Sequence, residues 1–193
     1  MGDHTMALPA TKELTQAVRR DRYTNKFRET VRSTFLSLVV VAAVAVLVAV
    51  LLLPILRIYG KSMNGTLDSG DIVISVKTSN FKTGDVIAFY YNNNILVKRV
   101  IANPGQWVNI DEYGNVFVNN VMLEEPYLQE KAYGETNIEF PYQVPDGKIF
   151  AMGDNRSVSI DSRNTSIGCI AEEQIVGKIV YRVWPLTGFG AVQ

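Results

Sequence analysis

Histidine occurs once among these 193 residues, as His4, and cysteine once, as Cys169. Each scarcity removes a class of chemistry. A single cysteine forms no internal disulfide, so a domain exported to an oxidising compartment must be stable without one. A single histidine near the start of the chain supplies neither a Ser–His–Asp triad nor a Cys–His pair, and it builds no His-rich metal site. Net charge is missing too: 19 Lys and Arg balance 19 Asp and Glu. There is no basic surplus to draw nucleic acid. A hydrolase made from this sequence has to find its base elsewhere.

What is present first is a long apolar run. Residues 33–56 hold no charged side chain and are mostly Val, Leu and Ala. As a helix they would reach about 36 Å, against roughly 30 Å for a hydrocarbon core. A secretory signal has a shorter apolar region of about 7–15 residues, and a helix apolar on every face is not a surface helix. The run therefore reads as one transmembrane helix over 34–56. Before it, residues 1–33 carry seven bases (Lys12, Arg19, Arg20, Arg22, Lys26, Arg28, Arg32) against four acids (Asp3, Glu13, Asp21, Glu29). That excess assigns the tail to the cytoplasm and residues 57–193 to the outside. Met1–Thr15, with His4, reads as a mobile polar extension.

Past Gly60 the pattern changes to short runs of β-branched and aromatic residues: Ile72–Val76, Val86–Tyr91, Ile95–Ala102, Trp107–Ile110, Val116–Asn119, Ile149–Met152 and Ile175–Val183. Turn sequences separate them, among them Asn92-Asn93-Asn94 and Asn103-Pro104-Gly105. Glu124–Tyr142, polar and interrupted by Pro126 and Pro141, reads as a long loop or edge ribbon. The expected fold is mainly β: an all-β domain of coiled sheets or a partly open barrel behind one N-terminal transmembrane helix.

Three segments could carry chemistry. Tyr59-Gly60-Lys61-Ser62-Met63-Asn64-Gly65-Thr66-Leu67 is a loop with a candidate nucleophile, although a Gly/Ser/Asn stretch alone reads more readily as a flexible juxtamembrane linker. Lys98 lies in a strand and shares a face with Leu96 and Val100. Such a lysine either stretches its amine to water or is desolvated. Desolvation lowers its pKa and leaves a neutral amine able to take a proton from a serine hydroxyl. Gly153–Arg163 packs Ser159, Asp161 and Arg163 into one loop. Ser159 could orient a buried amine, and Asp161 with Arg163 could hold the turn.

Taken together these segments resemble the bacterial type I signal peptidases, membrane-bound serine–lysine peptidases, over roughly Leu56 to Pro185. Gly60–Leu67 is similar to the nucleophile box, Val97–Ala102 to the lysine box, and Gly153-Asp154-Asn155-Arg156 with Ser159, Asp161, Ser162 and Arg163 to the last box. The resemblance implies attack by Ser62, with Lys98 as general base. It also implies that Ser159 orients Lys98 and that Asp161 and Arg163 brace the loop. The oxyanion would be held by the backbone N–H of Ser62. Some members add a hydroxyl where this chain has Gly60, so a serine there is expected to be tolerated. Gly65 stands where Pro is usual, which is expected to loosen the loop, and Val158 replaces a more usual polar residue.

The implied function is removal of signal peptides from exported preproteins after small residues, through an acyl-enzyme. No cofactor, metal or nucleic acid is called for; the partners are the lipid bilayer and extended preprotein segments. Glycosylation sequons at Asn64, Asn155 and Asn164 fall in the reacting region, which argues for a bacterial plasma membrane. The alternative is a non-catalytic homologue acting as an assembly factor for surface structures. Retention of both Ser62 and Lys98 speaks against it.

Overall fold

The computed structural model describes residues 11–192, so His4 and the rest of residues 1–10 lie outside the described residues. The chain divides into two compact units, Met1–Ala49 and Val50–Gln193. The first is carried by helix α1, Thr11–Leu52. The extension expected through Thr15 is thus helical from Thr11, in keeping with the helix formers Lys12, Glu13, Leu14, Gln16 and Ala17. Within α1, the 23 residues Lys26–Val48 are long and apolar enough to cross a membrane, and all their side chains are exposed. The helix stops at Leu52 and not at Leu56. Pro54 has no N–H to continue the ladder and turns Leu53 away from helical geometry.

The sheets of the second unit are antiparallel, with two short 3-10 turns, Glu172–Gln174 and Leu186–Gly188, beside them. Its strands are β1 (Ile55–Arg57), β2 (Ile72–Val76), β3 (Val86–Tyr91), β4 (Asn94–Ala102), β5 (Trp107–Ile110), β6 (Val116–Val118), β7 (Val121–Met122), β8 (Tyr142–Gln143), β9 (Lys148–Met152), β10 (Ile170–Ala171), β11 (Ile175–Trp184) and β12 (Gly190–Ala191). One sheet runs β1-β2-β11-β3-β4-β9-β10, with β12 on β11; a second runs β7-β6-β5-β8. Among the described residues neither sheet closes into a barrel. Residues 123–141 form no strand or helix, as their polarity and prolines led one to expect.

Alternation explains where the core sits. Val86 and Ala88 face one cluster, with Ile58, Met63, Leu67, Val73 and Ile179. Ile87 and Phe89 face another, with Phe81, Val100, Ile149, Ala151 and Ile170. A strand buried on both faces reads as a continuous apolar run, which is how β3 appears in the sequence. A third cluster joins the sheets through Ile101, Val108, Ile110, Val116, Phe150 and Met152. The β3–β4 hairpin pairs Tyr91 with Asn94, so its loop is Asn92-Asn93. Asn92 takes a φ of 51°, a left-handed conformation that asparagine tolerates.

Candidate active site

Ser62 stands at the start of a tight turn. The N–H groups of Thr66 and Leu67 both donate to the Met63 carbonyl, at 3.1 and 2.9 Å, and Met63 and Leu67 are buried beneath. The turn requires Gly65 at a φ of +106°, which proline cannot reach. Gly65 therefore belongs to the turn's geometry. The Ser62 carbonyl accepts a hydrogen bond from Asn155 N–H at 3.0 Å. The nucleophile loop is thereby fastened to the Gly153–Arg163 loop, some ninety residues away.

Lys98 is fixed by β4, opposite Ile87 of β3, and is only 3% exposed. Burial pulls its pKa from 10.5 down to about 8. Asp161 works against that shift, Arg163 adds to it, and Asp154 opposes it weakly. No carboxylate among the described residues is ion-paired with it. The same side chain lines a cleft with Ser62.

Because the folded pKa lies below the unfolded one, charging the buried amine costs the folded state about 3 kcal/mol below pH 8. Between pH 8 and about 10.5 the unfolded chain keeps a proton that the folded protein has shed, so stability rises with pH there. Lys98→Met should accordingly stabilise the protein by up to about 3 kcal/mol at pH 7, with the gain fading by pH 10.5. Denaturant melts across that range check it.

The Gly153–Arg163 loop is a frame of buried ion pairs. Arg163 Nε and Nη2 donate to Asp161 Oδ1 and Oδ2 at 2.8 and 2.9 Å. Arg163 Nη1 and Nη2 also bond the carbonyls of Tyr133 and Arg156, at 2.7 and 3.0 Å. Burial pushes the Asp161 carboxyl up, but Arg163 and the Gly153 N–H outweigh it and hold it below the usual carboxylate range. Ser159 is 1% exposed; its Oγ makes no well-formed hydrogen bond, although it lies near enough to Asp161 to help hold that carboxyl down. Gly153 separates this hydroxyl from the Ser62 carbonyl: a Cβ on it would collide with both. The sequence-derived residues thus fall together, with Ser62 and Lys98 on one cleft, Ser159 behind Gly153, and Asp161 held by Arg163.

The reading of the sequence missed how far this frame extends. Arg99, next to Lys98, makes a bidentate pair with Asp154 at 2.9 and 2.7 Å and bonds Thr66 Oγ1 of the nucleophile turn at 3.0 Å. Its guanidinium lies 3.8 Å from the ring centre of Tyr127. Tyr127 donates to Glu125 at 2.8 Å, and Glu125 pairs with Arg156. Nothing local in a Lys-Arg dipeptide signals that both side chains are buried. Only the pairing of β4 between β3 and β9 makes it so. Among the described residues no group of three His, Cys, Asp or Glu could hold a metal ion.

Gly60 lies beside Ser62 on two clefts, with a φ of +93° and open space where a Cβ would project. A serine would fit sterically but would be held left-handed, at roughly 1–2 kcal/mol. Gly60→Ser, expected from the sequence to be tolerated, should lower the melting temperature by several degrees without raising activity. A differential scan beside a cleavage assay tests this.

Comparison with known proteins places these features in context. A protein-family model described as signal peptidase, peptidase S26, matches residues 31–184. The chain is 39% identical to signal peptidase IB of Staphylococcus aureus, over 68% of this chain and 78% of that one. It is 36% identical to thylakoidal processing peptidase 1, chloroplastic, of Arabidopsis thaliana, over 64% of this chain and 40% of that longer protein. It thus spans about two fifths of the plant relative's length. A crystal structure of a signal peptidase I from Enterococcus faecalis is 28% identical, with a TM-score of 0.44, covering 51% of this chain and 96% of that one.

Proposed function

This chain belongs to the peptidase S26 family of signal peptidases, and on that premise we propose that it removes signal peptides from exported preproteins with Ser62 as nucleophile and Lys98 as general base. The observation that carries the reading is Lys98: a lysine buried in a strand, held in no ion pair, on the same cleft as a turn-mounted serine. A neutral amine there takes the Ser62 Oγ proton as the oxygen attacks the scissile carbonyl. The Ser159 hydroxyl, buried in the same loop, positions that amine. Asp161 and Arg163 keep the loop rigid, as a preorganised site requires. The Ser62 N–H stabilises the oxyanion. The scissile strand lies along the extended edge at Arg57–Tyr59 as an added strand and presents small side chains to the cleft.

Residues 1–33 are cytoplasmic, α1 crosses the membrane once, and the β unit lies outside. This topology rests on the basic residues before the apolar run. Protease added to the outer face of spheroplasts should digest the chain beyond residue 60 and spare residues 1–33. Protection of the β unit would refute the orientation. The function is tested by incubating purified protein and its Ser62→Ala variant with a preprotein. Cleavage after a small residue by the wild type alone supports it, and an intact preprotein in both tubes rejects it.

A further inference from the structure

Two clefts meet at Ser62, and they are lined differently. The first runs between Arg57–Tyr59 and Asn93–Val97, that is, between the end of β1 and the start of β4. The second is lined by Tyr59, Leu96, Lys98, Val158, Ile160 and Ile167, with Ser62 at its edge. We propose that the second cleft receives the first residue of the released segment, and that Val158 and Ile160 make it select an apolar side chain at that position. The proposal rests on the peptidase reading above.

The chemistry decides which cleft serves which half of the substrate. When Ser62 Oγ bonds to the carbonyl carbon and the C–N bond breaks, the proton taken by the Lys98 amine passes to the leaving nitrogen. Water then hydrolyses the ester and restores the serine. The leaving nitrogen must therefore lie within reach of Lys98, and Lys98 lines the second cleft but not the first. The acyl half is left to the first, where backbone edges suit an extended strand.

The lining decides what the leaving residue should be. Val158 and Ile160 are 57% and 46% exposed, on either side of Ser159 at 1%. The Asn155 carbonyl accepts from both Val158 N–H and Ser159 N–H, at 3.4 and 3.1 Å. This arrangement goes with the serine turned in and its two apolar neighbours turned out. Leu96 and Ile167 are half-buried. No carboxylate lines the cleft, its charged side chains are Lys61 and Lys98, and its Tyr91 hydroxyl already donates to the Ser166 carbonyl at 2.8 Å. Apolar residues exposed singly call for no explanation, but these two flank the residue that backs the reacting groups. An apolar side chain seated against them takes their surface out of water, whereas a polar one of the same shape loses hydration for nothing.

The test uses two preproteins identical except for leucine or asparagine immediately after the cut, a pair matched in size and charge. Wild-type kcat/KM should favour leucine on the order of tenfold. In Val158→Asn/Ile160→Asn the ratio should fall towards one. Equal rates for the two substrates in the wild type overturn the subsite and leave the peptidase reading standing. Cleavage of neither substrate overturns the peptidase reading and the subsite with it.

Discussion

Lys98→Arg and Ser62→Ala are each expected to lower preprotein cleavage on the order of 10³-fold or more. Arginine preserves the charge and much of the length of lysine, so a structural role for the side chain would survive the exchange. A base would not, because guanidinium stays protonated at any working pH. The wild-type profile should carry the same signature. Only the neutral amine accepts a proton, and burial sets its pKa at about 8. The rate should therefore climb about tenfold per pH unit below that point and level off above it. Lys98→Arg should show a flat residual line. Substantial activity in Lys98→Arg across the range would remove the lysine from the mechanism. Ser159→Ala, which only loosens the amine, should keep a rising profile at a lower plateau.

Gly153→Ala should cost about a hundredfold in activity, although it adds one methyl group to a residue no step of the chemistry uses. Gly153 does not hold a left-handed φ, so conformational strain is not the reason. The added Cβ would sit 2.5 Å from the Ser62 carbonyl oxygen and on the Ser159 side chain. Relief requires the nucleophile loop and the Ser159 segment to part. A displacement near 1 Å at a reacting group is worth about 10²-fold. Circular dichroism should show the sheets intact, and the loss should appear in kcat more than in KM. Wild-type kcat in Gly153→Ala would mean that the two loops do not need to touch.

Much of this was legible in the sequence, for identifiable reasons. Ile72–Val76, Val86–Tyr91 and Trp107–Ile110 are strands with the boundaries their β-branched and aromatic runs imply. Ser62, Lys98, Ser159, Asp161 and Arg163 could be picked out as candidates because three short motifs stood in order behind an apolar run. The short strands could not. Ile55–Arg57 lay hidden at the end of that run, and two-residue pairings such as Tyr142–Gln143 and Ile170–Ala171 have no period to read. Their existence depends on the partner strand. The Arg99–Asp154 and Arg156–Glu125 pairs were invisible for a related reason: each joins segments about thirty or more residues apart. Charged residues read locally as surface until the fold supplies the partner. The positive φ of Gly65 was not legible either, because it is set by the turn, which the sequence shows only as a missing proline.

Strand β11 gives the enzyme a sense of timing. The serine follows β1 and precedes β2, while the lysine sits on β4, whose hairpin mate is β3. Yet β2 and β3, neighbours along the chain, do not pair, because β11 lies between them and bonds to both. A chain emerging from its N-terminus has made Ser62 and Lys98 long before residues 175–184 exist to draw them into one sheet. Contacts of that sequence separation form late, once a long loop has been closed. The serine and the lysine are therefore made before the strand that joins their two parts of the sheet. Truncation ahead of Ile175 should leave the enzyme inert for good.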